Sequence, residues 1–392
     1  MSDVVILSGA RTPIAAFQGA FSSLSAPHLG SIAIKAALER ANIDQSAIDE
    51  VLMGNVLGAG IGQAPARQAS KGAGLADSVP CTTVNKVCGS GMKTVMMAAQ
   101  AIKSGDAQVI VAGGMESMTN VPYALLSARA GFRMGNAVAT DLMIHDGLWD
   151  PYNNVHMGTC GDLCASEQGF GREEIDQFAG QSYSRAVASQ IAGKFSDETV
   201  PVSVPQRKGD PIVVSEDEEP KRGNIAGLAG LRPAFGKEGV TTAGNASSIN
   251  DGAAALVVTS SQFAESHGLK PLGRIVSYVQ YAHDPQWFTT APAAAIKKLL
   301  DKSGKTVADI DLFEINEAFM VVAMHAVRDC GLSWDKVNVN GGAVSLGHPI
   351  GMTGTRLILT ALLELKRRGG KYAISTPCIG GGEATAVLIE AL

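Results

Sequence analysis

The feature that most constrains this chain is an internal duplication. The run Ile48-Asp49-Glu50-Val51-Leu52-Met53-Gly54-Asn55 is echoed by Ile310-Asp311-Leu312-Phe313-Glu314-Ile315-Asn316, with the two asparagines 261 positions apart. Cys88-Gly89-Ser90-Gly91-Met92 aligns with His348-Pro349-Ile350-Gly351-Met352 at an offset of 260. Each of these segments opens an amphipathic helix pattern: Met92, Val95, Met96, Ala99 and Ile102 share one face of the first, and Leu357, Ile358, Ala361, Leu362 and Leu365 one face of the second. The strand-like runs 108–112 and 372–376 follow at matching places. In the second half another strand, 384–389, comes at once, whereas its counterpart 253–259 arrives only after a detour. We therefore divide the chain into a first half (1–119 with 251–270), an insertion (120–250) and a second half (271–392). The insertion carries a loop-like stretch, 129–156, and a charged run, 216–222. The predicted class is α/β, with a mixed sheet in each half and helices on both faces. Stacking the halves through their middle helices would bury that helix layer on both sides. Two independent dinucleotide-binding domains would need a G-x-G-x-x-G after a strand with an acidic residue about 20 further on, and none is present.

Composition narrows the function. With 46% apolar and 18% charged residues, and no apolar run near the ~18 residues of a membrane span, the chain is expected to be globular, neither disordered nor membrane-spanning. The net charge is −5 and the only basic cluster is Lys366-Arg367-Arg368, which reads as a helix end, so nucleic acid is not an expected partner. Six cysteines are too few to staple 392 residues, and no targeting segment is expected ahead of the strand-like run at 4–8. A reducing cytoplasm is the expected location, where a special cysteine is reactive rather than bridged.

Cys88 lies between a β-like run, 82–87, and a helix start, flanked by Gly89 and Gly91. A thiol there is expected to feel the helix dipole and nearby N–H groups, which lowers its pKa and favours a nucleophilic thiolate; the plainer alternative is an inert core cysteine. His348, at the repeat position of Cys88, can take a thiol proton and polarise a carbonyl, or merely cap a helix. Cys378 leads into Gly380-Gly381-Gly382, whose bare N–H groups can form an anion-holding nest, or it is a structural thiol. Asn316 could orient a water or a carbonyl, though an asparagine before a helix is first of all an N-cap. Cys160 and Cys164 have no second ligand pair nearby and read as a packed helix turn rather than a zinc site. The run Gly58-Ala59-Gly60-Ile61-Gly62 reads as a turn before a helix.

With these segments in view, the whole chain resembles a thiolase, most closely the short-chain, acetyl-transferring branch of that family. The matching segments are Asn85 to Met92, Gly113-Gly114-Met115-Glu116-Ser117-Met118, Asn316-Glu317-Ala318-Phe319, Asn340-Gly341-Gly342-Ala343, Gly347-His348-Pro349-Ile350-Gly351 and Cys378 to Gly382. The resemblance implies a five-layer α/β/α/β/α stack of two duplicated halves with an inserted loop domain. It implies that two acetyl-CoA condense reversibly to acetoacetyl-CoA through an acyl group on Cys88. His348 would activate that thiol, Cys378 would move the proton of the second acetyl group, Asn316 with His348 would form one oxyanion site, and the N–H groups of Cys88 and Gly380 the other. The alternative within the family is a broader-chain degradative 3-ketoacyl-CoA thiolase.

By the same resemblance the insertion binds CoA. Arg222 would lie against the adenine and Ser247 against the pantetheine, with Leu148, His156, Met157, Phe235, Ala243, Phe288, Ala318 and Phe319 along the tunnel. No cofactor is implied as required. Tyr183, Ala243, Gly244, Ala246 and Val344 match positions that bind potassium in one short-chain branch, and relatives form homodimers or dimers of dimers. Trp287-Phe288 and Glu383 depart from the family pattern; the first bears on acyl specificity, and no role for the second follows from the sequence. A decarboxylating condensing enzyme on the same architecture would carry a histidine where Cys378 stands. A non-catalytic carrier would be expected to lack one of Cys88, His348 and Cys378.

Overall fold

The computed structural model describes residues 3–392. One path of nine strands runs through the molecule: β1 (Val4–Arg11), β2 (Glu50–Gly54), β3 (Cys81–Val84), β4 (Val109–Ser117), β5 (Asn250–Ser260), β6 (Gly273–Ala282), β7 (Leu312–Ile315), β8 (Tyr372–Thr376) and, after the two-residue β9 (Cys378–Ile379), β10 (Glu383–Ala391). Their spatial order is β7-β8-β10-β6-β1-β5-β4-β2-β3, with β9 against β10. The duplication is visible in the pairing. In the first half β2 and β4 are parallel and β4, β5 and β1 antiparallel. In the second, β7 and β8 are parallel and β8, β10 and β6 antiparallel. The halves meet edge to edge where Val4, Val5 and Ile6 face Ile275, Arg274 and Gly273.

The principal helices are α1 (Ala26–Ala41), α2 (Pro65–Gly72), α3 (Ser90–Ser104), α4 (Met157–Gln168), α5 (Arg172–Ile191), α6 (Ala291–Ser303), α7 (Met320–Cys330), α8 (Ala343–Leu346) and α9 (Ile350–Arg368). Helices α3 and α9 pack on each other in the middle of the stack. Alternating side chains on the strands separate its layers, because successive residues of a strand point to opposite faces. On β1, Val5 and Leu7 join α1 in one core, while Val4 and Ile6 join α3 and α9 in another. On β10, Leu388 packs with α6 and α7, and Val387 and Ile389 with α3 and α9. The result is the expected five layers, and the middle helix layer is buried from both sides.

Glycine makes the close crossing of α3 and α9 feasible. A Cβ on Gly91 would lie 2.8 Å from the Gly351 carbonyl oxygen, and one on Gly354 would lie 2.4 Å from the Met92 nitrogen. Most expected strands are longer than the sequence pattern suggested: β1 continues to Arg11, β4 runs through both glycines to Ser117, and β5 starts at Asn250. The exception is β3, which stops at Val84 because the following turn has already begun. The stretch 129–156 holds only short elements, while α4 and α5 form the ordered body of the insertion. Arg11, fully buried, ties that insertion to β1 through Glu198 and a bidentate pair with Asp217. Among the described residues no helix is long and apolar enough to cross a membrane, and no cysteines are bridged.

Candidate active site

The turn between β3 and α3 presents Cys88. It is tight enough to hold Val87 at φ 46°, a conformation that strains a β-branched side chain and persists only where neighbours over-determine it. Those neighbours are local: Val87 N–H donates to Asn85 Oδ1 (3.0 Å), Gly89 N–H to the Lys86 carbonyl (3.0 Å), and the Ser90 hydroxyl to the Val87 carbonyl (2.6 Å). The expected depression of the thiol pKa is not what the structure gives. Burial pushes Cys88 up to about 12, against the lowering effect of its own N–H and the N–H of Gly380. Desolvation outweighs the N–H donors, so Cys88 rests as a thiol and needs a base at hand.

His348 lines the same cavity as Cys88. It follows Gly347, whose φ of 100° no other residue adopts readily and where a Cβ would meet the Asn250 side chain at 2.5 Å. The His348 N–H donates to Asn250 Oδ1 at 2.8 Å. Its Nδ1 lies 2.7 Å from Thr353 Oγ1, and that hydroxyl in turn donates to the Pro349 carbonyl at 2.9 Å. With the hydroxyl proton committed to Pro349, Nδ1 must carry the ring proton, which leaves Nε2 as an acceptor. Burial, with Arg356 nearby, pulls the pKa of His348 down to about 3, so the imidazole is neutral. The histidine caps no helix.

Asn316 is not an N-cap either. It follows β7 directly, four residues before α7 begins at Met320, and its N–H donates to the Thr376 carbonyl at 3.0 Å. Its Nδ2 faces His348 Nε2 at 3.4 Å, and its buried Oδ1 has no protein partner. That oxygen can accept from a water whose second proton points at a substrate oxygen. Cys378 is fully buried, pushed well above the ordinary thiol range by burial and by Cys88, with the Ala318 N–H and its own acting the other way.

Cys88 and His348 open onto one largely apolar cavity of about 250 Å³. Of the expected tunnel residues, Leu148, His156, Met157, Phe235, Ser247, Phe288, Ala318 and Phe319 line it. His156 stacks on Phe235 with ring centroids 4.5 Å apart, and its Nδ1 accepts from Gly158 N–H at 3.0 Å. Ser247 donates to the Ala318 carbonyl through both its N–H and its hydroxyl, each at 3.0 Å. Arg222 and Ala243 are exposed and lie outside the cavity wall. Met118, Gly147, Ala246, Ser248, Ile249 and Ile350 complete the lining. Tyr183, Gly244, Ala246 and Val344 are buried beside it. Burial, then Glu219 and Glu317, raise the phenol of Tyr183 to about 12. Cys160 and Cys164 lie one turn apart inside α4, both buried, as a packed helix face would place them.

Sequence reasoning missed the residues that brace this site. Glu116 receives Val56 N–H (3.0 Å) and Gly351 N–H (2.9 Å) on one oxygen, and Leu57 N–H (3.1 Å) and Asn55 Nδ2 (2.7 Å) on the other. Burial raises its carboxyl to about 7 against those N–H groups, and with four donors it serves as a carboxylate. Glu317 accepts from Ser182, Asn338 and Val344 N–H in the same manner. Only an acidic residue inside an otherwise apolar strand could have signalled Glu116.

Comparison with known proteins agrees with this geometry. Residues 4–262 match the thiolase N-terminal domain and residues 269–391 the thiolase C-terminal domain. The chain is 50% identical over 391 residues to an acetyl-CoA acetyltransferase of Cupriavidus necator, with all of both chains covered. It is 52% identical over 392 residues to acetyl-CoA acetyltransferase 2 of Arabidopsis thaliana, covering 100% of this chain and 97% of the relative. With the mitochondrial acetyl-CoA acetyltransferase A of Xenopus laevis it shares 50% identity over 393 residues, covering 100% and 93%.

Proposed function

The chain belongs to the thiolase family, and on that premise we propose that it is an acetyl-CoA C-acetyltransferase, condensing two acetyl-CoA to acetoacetyl-CoA and CoA and running the reverse cleavage. The observation that carries this reading is a buried thiol and a neutral imidazole with an unprotonated Nε2 on one small apolar cavity, with a second buried thiol, Cys378, close enough behind Cys88 for their charges to interact. In the first half-reaction His348 Nε2 takes the proton of Cys88 as its sulfur attacks the thioester carbonyl. The oxyanion sits between the N–H groups of Cys88 and Gly380, and CoA leaves as a thiolate that takes the Cys378 proton, while His348 keeps the Cys88 proton on Nε2. In the second, the Cys378 thiolate left by that departure removes a proton from the methyl group of the incoming acetyl-CoA. The enolate oxygen is met by Asn316, through a water, and by His348. The carbanion then attacks the acyl carbon on Cys88, the carbon–carbon bond forms as the carbon–sulfur bond breaks, and His348 returns its proton to the Cys88 sulfur while Cys378 keeps the methyl proton. Every proton removed has a protein group to receive it.

Met157 and Phe288 close the far end of the cavity, which favours a short acyl group over the broad-chain alternative. The enzyme acts on its substrates as a homodimer or dimer of dimers in the cytoplasm, with Arg222 and Ala243 meeting the nucleotide end of CoA outside the cavity. A potassium ion is proposed as an activator here; what supports it is the Tyr183 phenol, close enough to the carboxylates of Glu219 and Glu317 to feel their charge. Tyr183, with backbone oxygens of Ala243, Gly244, Ala246 and Val344, would hold it and stiffen the segment that carries His348. The deciding experiment is an absorbance assay of acetoacetyl-CoA cleavage on addition of CoA, paired with mass spectrometry of the chain after acetyl-CoA alone. One acetyl group on Cys88 is the expected product; a label on Cys378 would overturn the assignment.

A further inference from the structure

Glu383 has no role that follows from the sequence, and the structure gives it one. It opens β10 directly across from Ile379, closing the turn Gly380-Gly381-Gly382. Its carboxylate is ion-paired with Lys86, which lies in the turn that presents Cys88. The two side chains are 33% and 19% exposed, so the pair is partly shielded from water. We propose that the Lys86–Glu383 ion pair is a positioning device that fixes the nucleophile turn against the glycine turn, so that the N–H groups of Cys88 and Gly380 converge on one substrate oxygen. The inference rests on the acyltransferase reading given above.

Neither turn can set this distance alone. The glycine turn has no side chains, and Gly381 and Gly382 sit at φ +91° and +81°. One flank is fixed by backbone: His283 N–H donates to the Gly382 carbonyl at 2.9 Å, and a Cβ on Gly382 would strike the His283 oxygen at 2.4 Å. The flank facing Cys88 is held by apolar contacts, Ile379 over Gly89 and Val87 over Gly380, which resist approach but not sliding. The bonds that shape the strained turn at Val87 are internal to residues 85–90, and its Asn85 Nδ2 bond to the Val56 carbonyl (3.3 Å) ties it within the first half, so none of them fixes its place against the glycine turn. Besides the weak N–H···S contact from Gly380 to Cys88, Lys86–Glu383 is the directional contact between the two turns, and the one made by side chains. Its geometry matters because donors must lie within a few tenths of an ångström of the developing oxyanion.

The test replaces Glu383 with glutamine, an isostere without the charge. For acetoacetyl-CoA cleavage by the full chain, kcat should fall about 5- to 20-fold, since sub-ångström misplacement costs up to ~10²-fold, while KM for CoA stays within about twofold. Thermal stability should change little, as a partly exposed pair contributes little to folding. The exchanged pair, K86E with E383K, should recover part of the lost kcat. Amide exchange measured on the peptide spanning 378–384 should quicken several-fold in E383Q without any substrate present. Unchanged exchange in that peptide, or a kcat within twofold of wild type, would overturn the proposal. So would a loss of kcat that follows a loss of thermal stability and is not recovered by the exchanged pair. Failure of the acyltransferase reading looks different: wild type itself would not cleave acetoacetyl-CoA, and the exchange measurement would still decide the role of the ion pair.

Discussion

Met157 is the residue on which acyl length should turn. Together with Phe288 it lines both the 250 Å³ cavity at Cys88 and a neighbouring one of about 180 Å³, reached past Tyr152 and Pro285, so the two side chains form the partition between them. Substituting Met157→Ala should join the spaces. An eight-carbon 3-ketoacyl group carries four more carbons than acetoacetyl, and at ~0.8 kcal/mol per buried methylene an apolar tunnel would gain about 3 kcal/mol. The second cavity also presents His145, Asp146, Asp150 and Tyr152, so we take half of that, about 1.5 kcal/mol, or roughly tenfold. The ratio of kcat/KM for 3-ketooctanoyl-CoA to that for acetoacetyl-CoA should therefore rise about tenfold in the variant, starting from a wild type that strongly prefers acetoacetyl-CoA. Met157 is 8% exposed and its thioether lies against Gly380, so the variant should also melt earlier, and both rates must be taken well below its transition. A wild type that favours the eight-carbon substrate, or a ratio unmoved by Met157→Ala, would refute the partition and return the broad-chain reading.

The remaining predictions concern the catalytic groups and their supports. Cys378→Ser should still be acetylated on Cys88 while condensation drops by ~10²–10⁴; equal loss of both half-reactions would make Cys378 structural. Thr353→Val should lower kcat by about 10- to 100-fold by stranding the Nδ1 proton of His348, with Thr353→Ser restoring most of it, and equal rates in all three proteins would remove the tautomer argument. His348 has a folded pKa of about 3 against ~6.5 unfolded, so between those values only the unfolded chain binds the proton and stability falls as pH falls. From pH 6.5 to 5 that loss is up to ~2 kcal/mol, and His348→Asn should escape it in paired urea titrations at pH 7 and 5. The opposite shifts of Glu116 and Glu314 are common to both proteins and cancel in the comparison. Potassium should raise the cleavage rate relative to a bulky organic cation at equal ionic strength; equal rates would dismiss the cation site.

What the sequence disclosed and what it hid divide along chain separation. Cys88 is legible because its signal is local, a strand, two glycines and a helix within a dozen residues, and His348 is legible because the repeat maps one onto the other. The supports are not local. Asn250 holds His348 from 98 positions away, and Glu116 reaches Gly351 across 235. No periodicity reports such pairings. The sign of the Cys88 pKa shift was misread for a related reason. A helix N-terminus and a few N–H donors are local and favour the thiolate by about a kilocalorie per mole, whereas burial disfavours it by up to several pKa units. Burial is set by Val56, Met118 and Ile350, which arrive from three other segments of the chain. Lys86 and Glu383, 297 positions apart, were each plain as a charge and silent as a pair.

The duplication also explains why the site needs both halves. Asn55 and Asn316 hold equivalent places after β2 and β7, and each has a buried amide oxygen with no protein partner. They are put to different uses. Asn55 is locked by Glu116 and the Met115 carbonyl, and the same carboxylate receives the N–H of Gly351 at the start of α9, where the positive end of the helix favours it. A carboxylate of the first half thus anchors the helix that follows the second half's histidine, while Asn250, where the insertion rejoins the first half's sheet at the start of β5, holds the histidine's own N–H. In return, Gly380 of the second half donates to the first half's Cys88. Asn316 has no carboxylate to lock it, because β8 leaves its neighbour at Pro377 and turns into the Cys378 hairpin instead. One copy of the repeat spends its polar groups on cohesion, which leaves the other free to aim an amide at the chemistry.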